Sequence, residues 1–228
     1  GYGITTGGSG DLVIRTDTSG DTLNLNVPIL ATTTGGWTKL GAGTLVVGAA
    51  NASTTAVHIN EGTVRVGPGA TLAASNATLN LRQGATLDLN GNSLGTAASA
   101  TGAVGGFNGA GLVTNSATGT TASLRIGEGN TAGYFSGLIQ DGDGKVALVK
   151  AGTTATIHLS GMNTFTGPVT LLGGNLDVTT LADIGVASGI GMGNVADNAG
   201  SLIFNGGVLR YVGTDAAGAV DGTQSVSV

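Results

Sequence analysis

The residues with most chemistry to offer are two histidines, a few carboxylates and an Asp-Gly-Asp-Gly run. His58 and His158 suit a general base or a pair of metal ligands, because a neutral imidazole does either job near physiological pH. Each lies between apolar neighbours, Val57 and Ile59 in one case and Ile157 and Leu159 in the other. Strand alternation then turns both rings away from the core. They also stand at different stages of the surrounding pattern, His58 after Asn51 and His158 before Asn163. The reading is two separate surface histidines.

Glycoside cleavage would need two or three acids on one cleft, and Glu61, Asp88 and Asp177 are the candidates. Arg65, Asp88, Asp177 and Arg210 all fall between the two apolar residues of a strand. That equivalence predicts instead a mixed ladder of Arg and Asp along one sheet, exposed to solvent. Asp141-Gly142-Asp143-Gly144 has the alternating carboxylates of a calcium loop but lacks the remaining ligands and the closing Glu, and it reads as a tight turn between Ile139 and Val146. There is no Gly-x-Ser-x-Gly elbow. With no cysteine in the chain, cysteine nucleophiles and zinc-finger sites are excluded. No catalytic, cofactor-binding or metal-binding residue is assigned, and the chain is not expected to be an enzyme.

The elements carrying these residues follow a recurring pattern: apolar-x-apolar-x-x-Gly, two or three residues, then apolar-x-apolar. Val57, Ile59, Gly62, Val64 and Val66 form one copy, and Leu79, Leu81, Gly84, Leu87 and Leu89 a second, about 22 residues on. Val169, Leu171, Gly174, Leu176 and Val178 form a third, and Leu202, Phe204, Gly207, Leu209 and Tyr211 a fourth. Each copy is two short strands with one apolar face, joined at a glycine corner, and cannot bury that face alone. Stacking the copies buries it. Ile59 and Leu81 are therefore expected to lie one above the other in a single hydrophobic column. A second repeat relates Lys39–Val66 to Lys150–Val178, with Leu45 matching Ile157, Asn51 matching Asn163 and Gly62 matching Gly174, all 112 residues apart. This offset is close to five repeats of 22.

Composition agrees with an all-β solenoid. Of 228 residues 44 are glycine and only 3 proline, without a Gly-X-Y period, and no segment keeps helical apolar spacing. Charged residues are 9%, the net charge is −5, and the eight Lys and Arg are scattered, so nucleic acid is not an expected partner. No apolar run reaches the roughly 18 residues of a membrane-spanning helix. The start at Gly1 and the strand-like Ser225–Val228 read as the ends of an excised piece. Residues 1–228 are read as one β-helix fragment, with repeat-like copies at 36–72 and 133–178. Residues 90–121 and 179–200 are irregular rungs or loop insertions, with Leu181, Ile184 and Met192 tucked onto the stem. Asn51, Asn76, Asn163 and Asn205 either stack as polar ladders or occupy left-handed corners, the latter being the default. Trp37 reads as edge packing.

The run from Ala132 to Gly152 (AGYFSGLIQDGDGKVALVKAG), followed by Leu159 to Gly167 (LSGMNTFTG) and Leu172 to Val178 (LGGNLDV), resembles the passenger-associated transport repeat of type V autotransporters. Lys39–Val66 resembles a degenerate second copy, lacking the aromatic found at Phe165. Leu87 to Asn115 resembles the segment joining such copies. The resemblance implies a right-handed parallel β-helix, here of roughly ten rungs. It implies a stalk that supports secretion and folding across the outer membrane and displays an adhesin-like surface on a Gram-negative bacterium, at the cell surface or secreted. The implied partner is the protein's own C-terminal outer-membrane β-barrel, outside this chain. Adhesion or self-association with host surface, glycan or like molecules is the alternative function, and a polysaccharide-active β-helix a third.

Overall fold

The computed structural model describes residues 2–6, 10–30, 35–214 and 220–226. Short strands of Val, Leu, Ile and Thr, most of them three or four residues long, alternate with glycine-containing corners and wind into a parallel β-solenoid with three sides. The longest sheet runs through Leu12–Arg15, Trp37–Leu40, Ala56–Ile59, Thr78–Leu81, Phe107–Gly109, Gly133–Phe135, Thr156–Leu159, Asn175–Val178 and Val208–Thr214, all parallel, and ends with Val220–Val226, antiparallel. A second sheet contains Thr22–Leu25, Thr44–Val47, Thr63–Val66, Thr86–Asp88, Leu112–Thr114 and Leu138–Ile139. A third contains Thr121–Ile126, Lys145–Lys150, Val169–Leu171 and Leu202–Phe204. Two circuits, Phe107–Ile126 and Gly133–Lys150, carry strands on the long, second and third sides in that order, whereas the earlier circuits carry them on the long and second sides and the later ones on the long and third. The described residues contain no α-helix, only a 3-10 turn at Glu128–Asn130.

The expected column is present. Val57 pairs with Leu79 and Ile59 with Leu81, and all four are 2% exposed or less. On the second sheet Leu45, Val64, Leu87, Val113 and Ile139 form one inward file without accessible surface. Each such side chain is worth about 1.5–3 kcal/mol when removed from water, so every circuit stabilises the last. The step of about 22 residues holds between Val57 and Leu79, but others range from 19 (Ile157 to Leu176) to 33 (Leu176 to Leu209). The extra length lies in the corners, and the strands stay short.

The four copies of the pattern are not equivalent positions on the coil. The first two turn from the long sheet into the second, whereas the last two turn from the third sheet into the long one. The 112-residue offset therefore carries Val57 on the long sheet to Val169 on the third. It amounts to four circuits plus two sides, and not to five whole repeats.

Where the long sheet carries its two phenylalanines, glycine faces them. Phe107 pairs with Leu79 on one side and lies beside Gly133 on the other, while Phe135 pairs with Gly109. The two rings stack across this gap with centroids 4.1 Å apart. A Cβ at Gly109 would lie 2.0 Å from the Leu81 carbonyl oxygen, so no larger residue fits. Trp37, read from the sequence as edge packing, is instead fully buried in the inward file, and its Nε1 donates to the Leu72 carbonyl at 2.8 Å.

Candidate interaction surface

Strand alternation on the long sheet sends a second file of side chains outward. Thr38, His58, Asn80 and Asn108 follow one another in register. Tyr134 comes next, its N–H donating to Asn108 Oδ1 at 2.9 Å. His158, Asp177 and Arg210 complete the file. Neighbouring strands stand about 4.8 Å apart, so the file is a straight polar and aromatic strip along the axis of the coil.

Its second half is tightly organised. Arg210 grips Asp177 through two bonds of 2.6 Å, from Nε and Nη2. Asp177 Oδ2 also lies 3.2 Å from His158 Nδ1. The His158 ring lies flat on Tyr134, centroids 4.2 Å apart and planes within 4°. Burial pushes the His158 pKa below the ordinary 6.5, with Asp177 pulling it up and Arg210 pushing it further down. Asp177 is 1% exposed, whereas Tyr134 is 65% exposed. The sequence reading thus places His158 on the outside but misses its partners, because nothing in the text links Tyr134 to Asp177.

The Arg and Asp ladder expected on one sheet is divided between two. Arg65 Nε donates to Asp88 Oδ2 at 2.8 Å on the second sheet, far around the coil from the Arg210–Asp177 pair. Nor are the acids exposed, since Asp88 retains 3% of its surface. Burial alone would raise the Asp88 carboxyl, but bonds from Arg65, from the Ser116 hydroxyl and from the Ser116 and Asn90 N–H groups outweigh it and hold the pKa below 3.8. Glu61 spends its Oε2 on the Gly41 N–H at 2.6 Å. The three acids weighed for glycoside cleavage therefore lie on different sides or corners, and each is already bonded.

His58 and His158 share the outward file, with Asn80, Asn108 and Tyr134 between them. Asp141 closes its turn by accepting from the Val146 N–H at 2.8 Å and from the Thr166 hydroxyl at 2.6 Å. No group of three metal-ligating side chains occurs among the described residues.

Two of the scattered cations, both lysines, lie in the core. Lys39 stands in the inward file between Ile14 and Ile59, and Lys150 between Ile126 and Leu171, both without accessible surface. Lys39 Nζ donates to the Leu40 and Gly41 carbonyls at 2.8 and 2.6 Å. Lys150 Nζ donates to Ala151 O and, at 3.1 Å, to Gly173 O. Each ammonium thus fills a corner that would otherwise leave carbonyls unpaired. Burial lowers both pKa values, that of Lys150 to about 8.

Asn51 and Asn163 are corner stitches rather than left-handed turns. Asn51 accepts from the Ile29 N–H at 2.7 Å and donates to Thr71 O at 2.9 Å, joining circuits on either side. Asn163 does the same between Ile139 and Gly189. Asn115, which the sequence reading passes over, joins Gly91 to Lys145, whereas Asn76 and Asn205 are exposed. The loop at 179–200 has turns but no helix. It packs Gly191 against the buried Phe165 and, with Ile184 and Met192, borders a groove of about 200 Å³, while Leu181 projects into solvent at 42% exposure.

Among known proteins, the chain is similar to the adhesin BmaC autotransporter of Brucella suis biovar 1 (strain 1330), 35% identical over 184 residues, or 79% of the chain. The match spans 5% of that relative's length. No protein-family model and no solved structure matches the chain.

Proposed function

We propose that this chain, a homologue of an autotransporter adhesin whose β-solenoid is consistent with an autotransporter passenger, is a length of passenger stalk. In this reading it supports export and folding across the outer membrane of a Gram-negative bacterium and displays an adhesive surface outside the cell. The observation that carries it is the register of Val57 with Leu79 and Ile59 with Leu81. Every parallel strand finds its partner on the adjoining circuit, so the coil grows by addition at one end and needs no distant contact. A chain without cysteine crosses a pore unconstrained by disulfides. Each emerging circuit then buries its apolar residues against the one before, which opposes return. The partner in export is the protein's own C-terminal β-barrel.

The test is made in the full-length protein on living cells. Leu81→Asp places a charge in the inward file and should reduce passenger reaching the surface, scored by protease accessibility on intact bacteria, while Arg82→Ala at the adjacent exposed position leaves it unchanged. Equal display of both variants would remove the link between stacking and export.

A further inference from the structure

The long sheet's outward file contains a step. His158 covers one face of Tyr134. The opposite face looks along the file toward Asn108 and Asn80, whose side chains are shorter, and Tyr134 as a whole is 65% exposed. Asn108 Nδ2 reaches Asn80 Oδ1 at only 3.4 Å, and among the described residues Asn80 Nδ2 has no hydrogen-bond acceptor. His58 stands next to Asn80 with no bonded partner among the described residues. A floor of amide and imidazole groups thus ends at an upright aromatic wall. Arg210, Asp177 and His158 hold that wall in place from behind.

Charge decides what such a shelf can take. Of eight Lys and Arg residues, Arg15, Arg65, Arg125 and Arg210 are each paired with a carboxylate. Lys39 and Lys150 are buried. Only Arg82 and Lys145 are exposed without an ion pair among the described residues, one just after a long-sheet strand and the other at the start of a third-sheet strand. With a net charge of −5, the surface repels polyanions and has no row of free cations to follow them.

We propose that His58, Asn80 and Asn108, ending against Tyr134, form a binding shelf for an uncharged oligosaccharide. A pyranose ring has an apolar C–H face and a rim of hydroxyls. Its C–H face would lie on the free face of Tyr134, where the ring's negative quadrupole meets the partially positive hydrogens. Its hydroxyls would exchange hydrogen bonds with the Asn80 and Asn108 amides and with His58. From His58 to Tyr134 is three strand spacings, about 14 Å, the length of a short oligosaccharide. His158 is a positioning residue that keeps the wall upright.

The inference rests on the reading that the chain displays an adhesive surface and is independent of the stalk's part in export. The 228-residue chain is applied to an array of uncharged oligosaccharides ending in glucose, galactose, mannose or N-acetylhexosamine, beside sialylated and sulfated ones, at two salt concentrations. The expected result is salt-insensitive binding to at least one uncharged glycan. Tyr134→Ala lowers affinity about tenfold or more, while Tyr134→Phe keeps it within about twofold. Asn80→Ala weakens it too, and Arg82→Ala does not. Binding confined to sialylated or sulfated glycans, an unaffected Tyr134→Ala variant, or no glycan binding by a chain that unfolds cooperatively would each overturn the shelf. Display on intact cells, measured separately with Leu81→Asp, would still report on export.

Discussion

Lys39 lies beside Ile59 in one inward file, an ammonium in a column of aliphatic side chains. Lys150 repeats the arrangement beside Leu171 on another side of the coil. In both cases the four methylenes pack where an aliphatic residue would, and the head group turns to corner carbonyls. The cost of burying the charge is offset by hydrogen bonds that no apolar side chain could make.

This arrangement predicts an unusual alkaline profile. Lys150 has its folded pKa lowered to about 8 from 10.5, so between these values the unfolded chain holds more protons than the folded one. Stability therefore rises as pH climbs from about 8 towards 10.5, and the penalty for the buried charge is fully present below 8. At 1.36 kcal/mol per pH unit, the rise attributable to this lysine is about 3–4 kcal/mol at most. Denaturant unfolding at several pH values should show that slope in the native chain and a shallower one in Lys150→Met, where Lys39 still contributes. Parallel profiles for the two proteins would mean that the charge is solvated.

In the first copy of the pattern the corner glycine is needed for space as well as for its backbone angle. Gly62 has φ +64°, and a Cβ there would lie 2.4 Å from both the Gly41 and Gly43 carbonyl oxygens. Gly69 has φ +69° with nothing within 4 Å. Gly69→Ala should cost only the left-handed backbone term, about 1–2 kcal/mol. Gly62→Ala should cost clearly more, because the adjoining circuit must move. Unfolding midpoints of the two variants make the comparison, and equal losses would leave the close approach without weight.

The stitching asparagines should separate from the exposed ones in the same way. Asn163→Ala leaves the Ile139 N–H and the Gly189 C=O without partners in a buried corner, at about 1–3 kcal/mol for each group. Asn76→Ala, at an exposed position, should change stability by no more than about 0.5 kcal/mol. Equilibrium unfolding distinguishes them directly.

These residues mark where sequence reading succeeds and where it stops. The columns of Val57 with Leu79 and Ile59 with Leu81 were legible, because alternation fixes which face is inward and the glycine corner fixes the phase of each strand pair. Which corner a copy occupies was not legible. The three corners ask for the same residue types, so Gly62 between long and second sheets and Gly174 between third and long sheets look identical in the text. Nothing in the text sets Lys39 and Lys150 apart from the other six cations, since only the register reveals that they continue the files of Ile59 and Leu171. The Tyr134–His158–Asp177–Arg210 file was half visible: alternation turned His158 outward, but its partners lie one circuit away, and corners of unequal length hide that distance.

The same file makes a prediction about titration. Burial and the Arg210 charge both hold the His158 pKa below 6.5, against the pull of Asp177. A depressed folded value means that the unfolded chain binds the proton first as pH falls. His158 therefore contributes stability that is fully present above pH 6.5 and lost as pH drops through that value towards its lower folded pKa. Proton-detected titration of the two imidazoles should place the His158 midpoint below 6.5. In Arg210→Gln the nearby positive charge is gone while Asp177 remains, so the midpoint should move upward. A downward shift in that variant would show that Arg210 acts mainly by holding Asp177 in place, and that the carboxylate turns away from the ring once released.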